Sequence, residues 1–229
     1  MTEIIKPYVC QYCNHGYLKE STLQTHVCEQ KRRALAQHEK HVVLGFDTYR
    51  KFYKATQNIN HDKTYEEFCK SPYYNAFVKF GSFVSNVKPL YPDNFITYVI
   101  NSGVKLDHWS RDELYDKYVV NLIKTENVET ALTRSINHMI QWADNNNSVW
   151  NHYFLYVSLP RATYDIKDGK ISPWLVLNSP SGTALLKKFN DEQLSAIGNV
   201  IDPTYWMNKF KKSTSDLELV KQVIKESKL

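Results

Sequence analysis

The sequence predicts a mainly α fold in three parts: a small ββα unit (1–29), a long linking helix (30–57) and an all-α domain of many short helices (58–229). Two observations lead to this prediction. Helix-start signals and apolar residues at three- and four-residue spacing recur along the chain, and clean alternation of apolar and polar residues is absent from its C-terminal third. By contrast, the first thirty residues hold three of the four cysteines in a closely spaced pattern.

The small ββα unit is predicted from the spacing of its metal-ligating residues. Cys10 and Cys13 are separated by two residues, and after twelve more His26 and Cys28 complete a set of sulfur and nitrogen donors. Such a set suits tetrahedral zinc. Apolar residues fall where a ββα unit needs its small core, at Tyr8, Tyr17 and Leu23. About thirty residues bury too little surface to fold alone, so metal binding would supply the folding free energy.

The pattern resembles the C2H2 zinc-finger family through Cys10, Cys13, Tyr17, Leu23 and His26. It departs at the fourth ligand, because Cys28 follows His26 after one residue and not after three to five. Residues i and i+2 of an α-helix point about 200° apart, so the helix is expected to tighten or end near Val27. If Cys28 does not reach the ion, the substitutes are His15, His38 and His41.

The resemblance also suggests a nucleic-acid surface. DNA-reading fingers place base contacts where this chain has Lys19, Thr22 and Thr25. Threonines discriminate bases weakly and one finger buries little surface, so backbone contacts should dominate. Through residue 60 there are nine Lys and Arg against five Asp and Glu, and beyond it twenty against nineteen. The basic run after the finger fits a phosphate-facing surface or, equally, a solvated helix start: Lys31, Arg32 and Arg33.

These features predict a zinc-finger accessory protein that binds nucleic acid, DNA in the first instance, while its helical body contacts a partner protein. The alternative is a structural or assembly adaptor whose finger binds protein. An enzyme is not expected, because the sequence has no phosphate-cradling glycine loop, nucleophile elbow or paired-histidine zinc helix. A metal-dependent nuclease would need converging carboxylates, for which the candidates are His61-Asp62, Asp107-His108, Asp112-Glu113 and Asp116.

Beyond the finger, apolar spacing predicts one helix from about Gln30 to Thr56, bent at Gly45, with a first break over 58–61. Start signals then predict a series of helices at Thr64 with Glu67, Ser71-Pro72, Pro92, Ser110 with Glu113, Val128, Asn190, Asp202-Pro203 and Ser215. The segment from Ile171 to Leu177 is apolar enough for a hairpin strand, but a helix is favoured.

Aromatic residues make up 14% of the chain, and one run of them alternates with lysines. Interleaved rings and lysines can stack bases, but their three-residue spacing favours a helical core face: Tyr73, Tyr74, Phe77, Phe80 and Phe83. The five tryptophans are interpreted in the same way, as core or helix-packing residues: Trp109, Trp142, Trp150, Trp174 and Trp206.

A cytoplasmic location without a membrane partner is expected. No run approaches the roughly twenty apolar residues that span a membrane, and Met1–Lys6 lacks the features of a signal peptide. Cys69 stands alone outside the finger, which is typical of a reducing compartment. The finger, Ser71-Pro72-Tyr73-Tyr74 and Ile171-Ser172-Pro173-Trp174 resemble uncharacterised proteins of T4-like tailed bacteriophages. The resemblance implies a phage factor in the host cytoplasm and no particular activity.

Overall fold

The computed structural model describes residues 6–57 and 61–229, which form two compact units that meet in sequence between Arg111 and Asp112. The prediction of a mainly α fold with a small N-terminal ββ element is confirmed, with 71% helix and one two-stranded sheet. Across the described ranges, no helix has both the length and the apolar character needed to cross a bilayer. The N-terminal residues 1–5 and residues 58–60 of the break predicted over 58–61 lie outside the described residues.

The N-terminal unit begins with a short antiparallel hairpin, in which Tyr8 pairs with Tyr17 and Val9 with Gly16. Helices and 3₁₀ turns follow. In chain order the elements are β1 (Tyr8–Val9), β2 (Gly16–Tyr17), α1 (Glu20–Thr25), α2 (Glu29–Leu35), a 3₁₀ turn (Ala36–His38), α3 (Lys40–Gln57), α4 (Tyr65–Lys70), α5 (Tyr74–Val87), α6 (Pro92–Asn101) and a second 3₁₀ turn (Leu106–His108).

The segment predicted as one long helix is divided into α2 and α3. Helix α2 ends at Leu35, the 3₁₀ turn follows, and Glu39 has an extended backbone at φ −70° and ψ 130°. An extended residue cannot continue the helical hydrogen bonds, so a new helix starts at Lys40. The apolar spacing continues across this interruption, which is why the sequence pattern did not reveal it.

Gly45, the position of the predicted bend, lies within α3, which continues through it without interruption. The glycine allows α5 to approach closely. A Cβ atom on Gly45 would stand 2.8 Å from the carbonyl oxygen of Phe77. One on Gly81 of α5 would stand 2.1 Å from the carbonyl oxygen of His41. Both glycines are therefore required, because the two helix backbones lie closer together than any side chain would permit.

Aromatic rings form the core of the N-terminal unit. The Phe77 ring meets the rings of Tyr49 and Trp109 at right angles or nearly so, with centroids 5.4 and 6.0 Å apart. The core interpretation of the aromatic run is confirmed for its buried members, whereas Tyr73 is exposed. The fully buried large residues of this unit are Phe68, Phe77, Phe80, Phe95, Ile96 and Trp109.

Local signals start several helices as predicted. Thr64 and Glu67 form a capping box at the start of α4, and Pro92 is the first residue of α6. Asn190 caps a later helix in the same way with Gln193. The helix start predicted at Ser71-Pro72 is wrong: Ser71 is the C-cap of α4, and α5 begins two residues after Pro72, at Tyr74.

The C-terminal unit consists of helices joined by loops, with one 3₁₀ turn at Trp150–His152. Its helices are α7 (Asp112–Thr125), α8 (Val128–Asn146), α9 (Tyr153–Tyr156), α10 (Leu159–Lys167), α11 (Pro173–Val176), α12 (Pro180–Leu186), α13 (Asp191–Ile197), α14 (Pro203–Lys212) and α15 (Thr214–Ser227). The helix predicted over 171–177 is confirmed as α11, and the rival strand is wrong. Trp174 and Trp206 are buried against each other, with centroids 5.7 Å apart.

Candidate metal centre

A tight turn after β1 brings the first two cysteines together. Cys10 accepts a hydrogen bond at its carbonyl from the Asn14 amide (2.8 Å), and its own amide donates to the carbonyl of His15 (2.9 Å). Asn14 adopts the left-handed conformation that closes the turn, with φ 56°. Asparagine tolerates that conformation better than most residues, so the loop can fold back and present Cys13 beside Cys10.

The other two predicted ligands, His26 and Cys28, follow the end of α1. The helix stops at Thr25, and His26 is extended at φ −68° and ψ 126°. Cys28 is extended as well and caps α2, where its sulfur accepts a hydrogen bond from the Lys31 amide at 3.3 Å. The expected helix end before Val27 is therefore observed. It removes the conflict between two ligands that an uninterrupted helix would point in opposite directions.

The four ligand atoms lie within 4.8 Å of one another. Cys10 Sγ is 4.0 Å from Cys28 Sγ, and Cys13 Sγ is 3.4 Å from His26 Nε2. With metal–sulfur bonds of about 2.3 Å and metal–nitrogen bonds of about 2.0 Å, a tetrahedral ion would space its ligands about 3.5–3.8 Å apart. The donor chemistry and the spacing both fit a tetrahedral metal ion.

The alternative ligands lie outside this group. His15 packs its ring against Tyr17, with centroids 4.8 Å apart, and His41 lies 3.2 Å from a carboxylate oxygen of Glu39. His38 belongs to the 3₁₀ turn that follows α2. Across 6–57 and 61–229, no second group of three or more His, Cys, Asp and Glu ligands converges, the pairs considered for a nuclease included.

Tyr17 supports the histidine of the group. Its hydroxyl lies 2.7 Å from His26 Nδ1, so the other ring nitrogen, Nε2, is the one that faces Cys13. A hydrogen bond to the second nitrogen fixes the ring orientation of a metal-binding histidine. Burial, followed by the charges of the neighbouring cysteines, raises the pKa of Tyr17 and keeps its hydroxyl protonated. Sequence analysis assigned this aromatic residue only to the small core, and the contact was missed.

The thiols of Cys10 and Cys13 are shifted in opposite directions. Hydrogen bonding from the backbone of Cys13 lowers the pKa of Cys10. A backbone hydrogen bond at His15 lowers the pKa of Cys13, but burial and the neighbouring thiols of Cys10 and Cys28 outweigh it, so that pKa is raised. The negative charge of the first thiolate therefore disfavours ionisation of the second thiol. A bound cation would remove that opposition, as expected of thiols that share one metal.

The residues predicted to face nucleic acid from the finger helix are exposed. Lys19 is the extended residue that precedes α1, and Thr22 and Thr25 lie three residues apart within the helix, so the two threonines share one side of it. The Thr25 hydroxyl donates to the carbonyl of Ser21 at 3.1 Å, which leaves its lone pairs outward. This side of α1 is therefore polar and exposed.

The basic run after the finger divides by role. Arg32 is exposed, whereas Lys31 is half-buried and donates to the carbonyl of His26 at 3.2 Å. The side chain of Arg33 is only 13% exposed. It donates to the carbonyl of Cys69 at 2.7 Å and lies 4.5 Å from the centre of the Tyr74 ring. Arg33 therefore joins α2 to α4 and α5, a role that residues so distant in sequence do not reveal.

The chain matches no protein-family model, no curated protein and no solved structure. Its function therefore has to be inferred from the chemistry that its surface presents. Besides the ligand group and the polar face of α1, the finger exposes three apolar side chains to half of their area or more: Val9 (51%), Leu18 (59%) and Val27 (60%).

Proposed function

We propose that this chain is a zinc-finger accessory protein that binds nucleic acid, mainly through the phosphate backbone. The observation that supports it is a group of three cysteines and one histidine beside the finger helix α1, which is preceded by the exposed Lys19 and carries the exposed Thr22 and Thr25. Zinc, held by Cys10, Cys13, His26 and Cys28, would supply the folding free energy of the finger and fix the direction of α1.

The electrostatics favour a small set of backbone contacts. Three thiolates and one Zn²⁺ together carry a charge of −1, so attraction for phosphate has to come from nearby lysines and arginines. Lys19 and Arg32 are exposed, and Lys31 is half-buried. We leave Arg33 out of the proposed surface, because its guanidinium already binds the Cys69 carbonyl and Glu29. In keeping with the bacteriophage resemblance, we place the protein in a host cytoplasm, with its helical units available to a partner protein.

Fluorescence anisotropy with labelled duplex DNA, single-stranded DNA and RNA at several salt concentrations tests nucleic-acid binding. About three phosphate contacts predict a slope of roughly −3 for log affinity on log salt with duplex DNA. Lys19→Gln combined with Arg32→Gln should reduce that slope by roughly 2 and weaken all sequences alike. The matched control is Lys105→Gln, which removes charge from an exposed lysine outside the finger. If the double substitution leaves the affinity and its salt dependence unchanged, the assignment of this surface to nucleic-acid binding is refuted.

Metal identity has a separate test in the cobalt-substituted protein. Absorption bands of three-thiolate coordination are expected, and Cys28→Ala should convert them to a two-thiolate spectrum with weaker metal binding. His41→Ala serves as the control, because His41 lies outside the ligand group. A two-thiolate spectrum of the unsubstituted chain would assign the fourth position to a histidine.

The exposed apolar side chains support a second candidate, an adaptor whose finger binds protein. Val9, Leu18 and Val27 would dock on an apolar partner surface and contribute nothing to phosphate binding. A zinc-loaded finger that binds no nucleic acid at low salt would favour this candidate. Leu18→Ser with Val27→Ser should then release the partner from the immobilised chain, whereas Lys19→Gln with Arg32→Gln should not.

A further inference from the structure

The C-terminal unit contains a cavity of about 420 Å³ that the finger hypothesis does not use. One wall is α8, whose His138, Trp142 and Asn145 follow at three- and four-residue spacing and so share a face. Tyr156 and Arg161, from α9 and α10, contribute to the opposite side. The volume falls within the range of about 300–1,000 Å³ that is typical of small-molecule sites.

A buried carboxylate fixes two of the side chains that line the cavity. Asp165 is fully buried, and its Oδ2 accepts hydrogen bonds from Arg161 Nε and from the Tyr153 hydroxyl, each at 2.8 Å. His138 Nε2 lies 2.9 Å from the same oxygen, without the angles of a good hydrogen bond. Asp165 Oδ1 has no hydrogen-bond partner among the described residues.

Burying an ionised carboxylate costs free energy unless charged or hydrogen-bonding groups pair with it, so the partners of Asp165 have to offset that cost. Burial by itself raises the pKa of Asp165, but His138, Arg161 and Tyr153 more than offset that effect, and the net shift is downward. The group therefore stays ionised and holds His138 and Arg161 in place. Nε2 of His138 faces this carboxylate, so Nδ1 is the ring nitrogen left for other contacts.

Arg161 is held at one edge of its guanidinium and open at the other. Its side chain is 50% exposed, and neither terminal nitrogen donates a hydrogen bond to any residue that the structure describes. A planar guanidinium that is fixed in this way suits two-point binding of a phosphate. The Ser158 hydroxyl, at the start of α10, adds a polar group to the same cavity, and the His138 ring lines it as well.

Aromatic rings stand beside this cationic group. Trp142 is fixed edge-on against Tyr153, with centroids 5.2 Å apart. Tyr156 lines the cavity although 68% of it is exposed, and its ring forms an edge-to-face pair with the ring of His152, with centroids 5.6 Å apart. Asn145 donates its amide to the carbonyl of Gln141 at 2.7 Å, so its side-chain oxygen can accept from a ligand. Rings, an acceptor and a fixed guanidinium are what a base and its phosphate require.

We propose that this cavity binds a nucleoside monophosphate unit, with the phosphate on Arg161 and the base against Tyr156 and Trp142. The same unit could be a free nucleotide or the terminal nucleotide of a strand. The proposal is independent of the finger, because every residue that carries it belongs to the C-terminal unit.

Titration calorimetry of the full chain with AMP, CMP, GMP and UMP tests the proposal, with adenosine and inorganic phosphate as partial ligands. At least one mononucleotide should bind about tenfold more tightly than either part, because stacking and charge both contribute. Binding of inorganic phosphate as tight as that of every mononucleotide, or no binding at millimolar concentration, would overturn it. A trinucleotide with a 5′ phosphate, compared with its 5′-hydroxyl form, then separates a strand end from a free nucleotide as the source.

Variants locate the binding. Tyr156→Ala should weaken the mononucleotide at least fivefold, whereas Tyr164→Ala should not, although that tyrosine is 50% exposed and lies 5.9 Å from Arg161. Arg161→Gln should weaken it at least tenfold, and Arg161→Lys should recover only part of the loss. Arg161→Gln also removes a hydrogen-bond partner of Asp165, so the thermal stability of this variant is measured together with its affinity. Tyr156 has no such buried partner, so unchanged affinity in Tyr156→Ala would overturn the site even if Arg161→Gln unfolds.

Discussion

The finger (6–28) and the helices α3 to α5 belong to the same N-terminal unit but are stabilised by different means. Among the described residues of the finger only Cys10 is buried, whereas α5 alone buries Tyr74, Phe77, Phe80 and Val84. Apolar burial at about 25 cal/mol per Å² can stabilise the helices, but the finger has almost none to offer. In the proposed function its fold depends on metal held by the ligand group, and the difference predicts that the two regions can be disrupted separately.

The largest effect is expected from Cys10→Ser, which removes a ligand. Metal content should fall from one equivalent to near zero and the finger should unfold, because a structural zinc contributes about 10–16 kcal/mol to such a domain. The helical circular-dichroism signal should change little, since α3 to α5 keep their own core. Cys69→Ser is the control, because Cys69 lies outside the group and should leave metal content unchanged. Collapse of the helical signal together with the metal would show that the comparison is wrong.

Gly81→Ala addresses the helical region. Its Cβ atom would stand 2.1 Å from the His41 carbonyl oxygen, so α3 and α5 have to separate. The free energy of unfolding should fall by about 3 kcal/mol in urea denaturation, while metal content stays at one equivalent. Gly198→Ala, whose added Cβ atom meets its nearest neighbour at 3.4 Å, should cost under about 0.5 kcal/mol. Metal loss in Gly81→Ala would show that the finger depends on this crossing.

Arg33→Ala and Arg32→Ala test adjacent arginines that the structure separates by role. Arg33 binds the carbonyls of Cys69 and Ser71, so its removal should lower the free energy of unfolding by about 2 kcal/mol. Arg32 is exposed, and its removal should change stability by less than about 0.5 kcal/mol. In anisotropy measurements of nucleic-acid binding, at temperatures where both variants are folded, Arg32→Ala should weaken binding more than Arg33→Ala. Equal stability losses would refute the division.

Tyr17→Phe should produce a smaller change within the finger. It removes the hydroxyl that lies 2.7 Å from His26 Nδ1 and leaves the ring in place. Loss of such a supporting contact typically weakens metal binding by about 10–100-fold, which competition with a chelator measures. Tyr12→Phe, a neighbour in the same loop, is the control. Equal affinities of Tyr17→Phe and the unsubstituted chain would reduce Tyr17 to a core residue.

The smallest effect concerns acid stability at the start of α4. Hydrogen bonds from Lys63, then from the Thr64 amide, lower the pKa of Glu67 to about 2. A carboxyl with a lowered folded-state pKa stabilises the fold above its unfolded-state value of 4.5, and that contribution disappears as pH falls toward 2. Glu67→Gln, which keeps an acceptor for the Thr64 amide but no charge, should flatten the loss of urea resistance across this range. An unchanged pH profile would contradict the assignment.

The sequence by itself determined the features that depend on neighbours within a few residues. The spacing of Cys10, Cys13, His26 and Cys28 located the ligand group, and the Thr64 capping box and Pro92 located helix starts. Such signals can be predicted because a turn, a cap or a helix end is decided by hydrogen bonds to residues two to four positions away. The mainly α fold class follows from the same local periodicity.

Tertiary structure alone decided the contacts between residues far apart in the chain. Arg33 is separated from its acceptor at Cys69 by 36 positions, and the close approach of Gly45 to α5 depends on a helix that starts at Tyr74. Asp165 contacts His138, which lies 27 positions earlier in the chain and lines a cavity that no sequence motif predicted. An exposed arginine and a buried one have the same local pattern, because burial depends on which distant backbone comes to lie against the side chain.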